Sequence, residues 1–138
     1  MRLVRVLLVV VLAVSPVACG AGEGEHTSEV ARVRSGELDV VLLASQPALT
    51  PGKAAFTIEF RSASDGARLV DVGAVKAAAT MPMAGMAPMM APVSVAPTET
   101  AGRYVARSDL AMAGDWHLAI EWDGPAGRGA ASLSPQVQ

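Results

Sequence analysis

Phe56-Thr57-Ile58-Glu59-Phe60-Arg61 sets the architecture of this chain. Apolar and polar side chains alternate without a break, and a period of two places Phe56, Ile58 and Phe60 on one face of a strand and Thr57, Glu59 and Arg61 on the other. Thr50-Pro51-Gly52 before it and Ser64-Asp65-Gly66 after it are turn formers, so the strand is short. Working outward, Leu38–Leu43 reads as a preceding strand closed by Gln46-Pro47. Arg68–Thr80 is extended; Ala74–Ala79 could propagate a helix on propensity alone, but Val70, Val72 and the neighbouring glycines favour a strand. Gly102–Leu110 and Asp115–Trp122 follow, the second with Trp116, Leu118, Ile120 and Trp122 on one face and His117, Ala119 and Glu121 on the other. After the turn Asp123-Gly124-Pro125, Gly129–Leu133 can close the sheet. About seven short strands separated by turn signals predict an all-β fold, a single immunoglobulin-like β-sandwich over residues 37–138 without the paired cysteines of antibody domains.

Composition narrows the function. The chain has 138 residues, 51% of them apolar, which allows one small domain. Its 11 Lys+Arg against 13 Asp+Glu leave a net charge of −2 and no basic run, so nucleic acid is not an expected partner. No nucleophile elbow, phosphate loop or HExxH is present, and the acidic residues are scattered singly, so no enzyme is predicted.

The N-terminus reads as an export signal. Arg2 and Arg5 precede the apolar run Leu7–Val14, and Ser15-Pro16-Val17-Ala18-Cys19-Gly20 follows. The run is too short to span a bilayer, which takes about 20 apolar residues. Cys19, the only cysteine, stands where a bacterial lipoprotein is cleaved and lipidated, although Pro16 replaces the usual leucine; ordinary cleavage nearby is the alternative. The domain boundaries expected are therefore a signal peptide over 1–18, a flexible Gly/Glu-rich tether over 19–36 and the β-domain over 37–138. Losing residues 1–18 removes Arg2 and Arg5, leaving 9 basic against 13 acidic side chains and a charge of −4. The expected setting is the cell envelope or periplasm, with the membrane engaged through a lipid on Cys19.

Met81-Pro82-Met83-Ala84-Gly85-Met86-Ala87-Pro88-Met89-Met90 is the compositional anomaly. The prolines exclude a regular helix, so a loop or broken strand is expected. Clustered thioethers are polarizable, uncharged ligands that suit Cu(I) in preference to hard cations. The candidate metal ligands are Met81, Met83, Met86, Met89, Met90, the more distant Met112, and His117 if the fold brings it near. Methionine also fills irregular cores and makes adaptable docking surfaces. If Val75, Ala77 and Ala79 face inward, Met81 and Met83 continue that face as core. His26 falls in the tether and reads as a solvated linker residue.

The ordered set MPMAGM over 81–86, Gly102-Arg103-Tyr104 and Met112-Ala113-Gly114-Asp115-Trp116 resembles the YtkA-like family over roughly Glu37 to Leu133. That resemblance implies a small envelope β-sandwich, often a lipoprotein, similar to FixH-type proteins of oxidase assembly and to heavy-metal efflux accessories. Ala87 stands where many members carry a histidine, which leaves an all-thioether Cu(I) site or none. Two functions are therefore expected to compete: a domain that binds or delivers Cu(I), and an interaction module whose apolar Met loop docks on an envelope partner, an oxidase-assembly or metal-efflux component. Without metal, Gly114 can make a tight turn, Trp116 can plug the sandwich and Tyr104 can pack with its hydroxyl at the rim.

Overall fold

The computed structural model describes residues 27–138. The expected signal segment over 1–18, Cys19 and His26 lie outside the described residues. Among those described, no helix forms; the chain makes β1 (Ser28–Ser35), β2 (Leu38–Ala44), β3 (Gly52–Ser62), β4 (Ala74–Met81), β5 (Met89–Pro97), β6 (Arg103–Leu110), β7 (Gly114–Asp115), β8 (His117–Gly124), β9 (Gly127–Leu133) and β10 (Gln136–Val137). The all-β class is as expected, with ten strands in place of about seven. Eight of them form one antiparallel sheet in the order β1-β2-β3-β6-β5-β4-β8-β9, and β10 pairs with β7. The long sheet curls until its outer strands meet, where the Ser35 hydroxyl donates to the Ala130 carbonyl at 3.1 Å. Its two halves thus close like a sandwich while staying hydrogen-bonded through β5 and β6.

The alternating strands fill the space between. Phe56, Ile58 and Phe60 meet Val40 and Leu42 from β2, Leu118, Ile120 and Trp122 from β8, and Trp116 just before it. Phe60 stands edge-on to Tyr104 and Trp122, with ring centroids 5.6 and 5.1 Å apart, the geometry that aromatic quadrupoles prefer. The Tyr104 hydroxyl donates to the Gly73 carbonyl at 2.7 Å, and burial, aided by the Asp71 charge, holds its pKa above the ordinary tyrosine value.

The tether expected over 19–36 is corrected in its second half. Ser28–Ser35 is β1, paired along its length with β2 through a bulge between Glu29 and Ala31. Val30, Ala31 and Val33 pack on the core, and the two-residue turn Gly36-Glu37 reverses the chain, with Gly36 at φ 59°. β5 is a second correction in part: a loop or broken strand is expected over 81–90, whereas Met89 and Met90 open a regular strand that runs on to Pro97. Pro92 is tolerated inside it because its carbonyl points toward β6 just past the end of that ladder, where the Ser108 hydroxyl meets it at 3.0 Å.

One end of the sheet concerns function. Ser28, Ala44, Gly52, Leu110, Met81, Met89, His117 and Leu133 all lie at strand termini on that end. β7 and β10 cap it, with Leu49 bonded to both Gln136 and Gln138 through the backbone.

Candidate metal-binding hairpin

β4 and β5 form a hairpin whose tip carries the methionine cluster. Met81 pairs with Met89, so their side chains share a face as directly opposed cross-strand neighbours. That face is the inward one: both are half-buried and pack against the core, continuing Val75, Ala77 and Ala79. Beyond them the chain turns, with the Met86 amide donating to the Met83 carbonyl at 3.3 Å. Met83 is half-buried, whereas Met86 is 65% exposed.

The second thioether-bearing segment comes from the loop after β6. The Trp116 indole donates to the Met112 carbonyl at 3.0 Å, which fixes that loop against the fully buried ring, and the Met112 side chain is 40% exposed. Gly114 has φ 143°, and a Cβ there would stand 3.1 Å from the Met81 sulfur. The absence of a side chain at 114 therefore gives the Met81 thioether its place. Three segments (81–83, 86–89 and 112–114) thus meet at one end of the molecule.

Not every expected ligand joins them. Strand alternation sends Met90 to the outer face opposite Thr80, 72% exposed, and puts it on the other side of the hairpin backbone from Met89. His117 also faces outward, opposite Thr80 on the other side, with Nδ1 3.0 Å from the Ser134 hydroxyl. The sequence cluster is thus divided into an inward pair, a tip and an outward pair. Sequence reasoning missed this division because it depends on which residues β4, β5 and β8 set opposite one another. Among the described residues no group of three His, Cys, Asp or Glu could hold a metal, so thioethers dominate the donor set. A groove of about 670 Å³ lies at the other end of β4, β8 and β9 beside the exposed Arg128–Asp123 ion pair, away from the sulfurs.

A curled antiparallel sheet capped by the short β7–β10 pair, with a buried Trp116 beside it and a methionine hairpin at the same end, defines a small all-β domain of the YtkA type. The YtkA-like family model matches residues 32–121, from β1 to near the end of β8, and the chain belongs to that family. No curated protein and no solved structure matches it.

Proposed function

We propose that this protein is an exported, non-catalytic envelope domain, anchored by a lipid on Cys19, that binds Cu(I) and hands it on through its methionine hairpin. The observation that carries the reading is the in-register pairing of Met81 with Met89 beside Gly114, with Met83 and Met86 in the turn that joins their strands. Two opposed thioethers on a rigid ladder are pre-positioned for one soft ion, and a tip methionine can close a third bond without the strands moving. Thioether sulfur carries no charge or proton to displace, so such a site stays selective for Cu(I) over hard cations across a wide pH range.

A titration tests it. The full-length chain, in mild detergent and without oxygen, competes for Cu(I) with a chromogenic chelator, beside a variant with Met81, Met83, Met86 and Met89 changed to leucine. Leucine keeps volume and hydrophobicity while deleting the ligand atom, so about 100-fold weaker binding at a nearly unchanged unfolding midpoint is expected. A wild-type chain that fails to compete overturns the reading. The exposure of Met86 and Met90 favours a second one, an apolar surface that docks on an oxidase-assembly or metal-efflux component; leucine would preserve such docking.

A further inference from the structure

The register that opposes Met81 to Met89 also orders the outer face. Met90 on β5, Thr80 on β4 and His117 on β8 stand side by side in one row, and Ser134 follows beyond His117. Adjacent strands lie about 4.8 Å apart, so the backbones of Met90 and His117 are separated by roughly 10 Å with only a short threonine between them. To share one ion, the long thioether arm and the imidazole Nε2 would each have to reach over Thr80 from its own side, Nε2 being the ring nitrogen left free by the Nδ1 contact to Ser134.

We propose that the Met90 sulfur and His117 Nε2 form a second, exposed site for a soft monovalent cation, on the opposite face of the hairpin from Met81 and Met89. It rests on the reading of the hairpin as a soft-metal binder and adds a separate point of contact. Three observations support it. The Ser134 hydroxyl at Nδ1 holds the ring; in the tautomer whose Nδ1–H donates to it, the Nε2 lone pair is the one offered to a metal. The next row of the same face, Pro92, Ala78, Ala119 and Ser132, carries no carboxylate that would draw a hard cation. Both ligands are exposed, so a partner's donor atoms can reach a two-coordinate ion there and take it over.

Silver(I), a redox-silent probe of the same softness, makes the test direct. The full-length chain is titrated with Ag(I) while NMR follows the methionine methyls and the His117 ring. Two events are expected: one moves the Met81 and Met89 methyls, the other moves the Met90 methyl and the His117 ring together. Met90→Leu should remove the His117 response, or weaken it at least tenfold, and leave Met81 and Met89 responding; His117→Gln should do the same to the Met90 response. In the Met81→Leu/Met89→Leu variant the outer event should persist. A His117 response unchanged by Met90→Leu, or Met90 and His117 moving at different silver concentrations, overturns the outer site. An inward event alone defeats this proposal and leaves the hairpin reading standing; silence at all four residues defeats both.

Discussion

On the outer side of β1, β2, β3 and β6, guanidinium and carboxylate groups interlock over buried carboxylates, whereas the outer side of β5, β4, β8 and β9 presents alanine, serine and proline around Met90 and His117 and keeps its exposed charges, Lys76, Glu121, Asp123 and Arg128, at the far end. In the first region Asp39 accepts from Arg34 at 2.9 Å and from Arg32 at 3.3 Å, and Glu59 accepts from Arg103 at 2.7 Å and from Arg61. Both carboxylates are buried, and Val41, set between Arg32 and Glu59 in the register, is fully covered although it points away from the core. The arginine stems roof the sheet as much as their charges pair across it. In the second region Ala78, Ala119 and Ala130 are exposed and nothing described covers them. One surface is closed by its own side chains; the other is left open, and the candidate metal ligands stand on or beside it. A sheet bare on the outside must be held from within.

The strongest challenge to that contrast is Gly129→Ala. Gly129 faces inward on β9, and a Cβ there would come 2.4 Å from Cζ2 of Trp122, the ring that anchors β8. The methyl should displace the indole and cost about 2–3 kcal/mol, seen as a lower thermal midpoint. A variant as stable as the parent would show that the open half does not depend on its inner packing.

A matched pair sharpens the comparison at smaller amplitude. Glu59→Gln keeps the shape but removes the charge that two arginines share, and should cost about 1–2 kcal/mol in urea unfolding. Ala119→Ser on the open face should stay within about 0.5 kcal/mol of the parent. Equal costs would erase the distinction between a roofed face and a bare one.

The smallest effect concerns acid. The hydrogen bond from Arg34, with the charges of Arg34 and Arg32, holds the Asp39 carboxyl below its ordinary value of 3.8, and Arg32 likewise lowers Glu29. The unfolded chain therefore takes up protons before the native one. The stabilisation is complete above the ordinary carboxylate value and is lost as pH falls through the lowered one. Asp39→Asn should flatten the acid limb of the stability curve, with no change near neutrality beyond the lost pairing itself.

Much of the β-architecture could be read from alternation, because Phe56–Arg61, Leu38–Leu43 and Trp116–Trp122 each bury one side. Trp116 took the plugging role its order suggested, and Gly114 has the positive φ expected of it, but within the short strand β7 in place of a tight turn. β1 escaped notice because Gly and Glu dominate the composition around it; the local signals were Val33 between two arginines and Gly36 three residues after it. β5 was hidden by Pro92 and Pro97, whose missing amides matter only on the side that needs a donor. The methionine cluster was visible as composition, but its division between two faces was not. That division comes from long-range register, which no local spacing encodes.

The end of the sheet that bears the methionine hairpin is also the end where β1 begins, with Ser28 set against Ala44. Fully extended chain advances about 3.3–3.6 Å per residue, so the stretch from Cys19 to Thr27 reaches at most roughly 30 Å. With a lipid on Cys19, as proposed, the sulfurs would be leashed on the side of the domain that looks back at the bilayer. Their natural correspondents would then be ligands at the mouths of membrane-embedded proteins, with the domain acting as a short-armed sentry at that surface and not as a free courier.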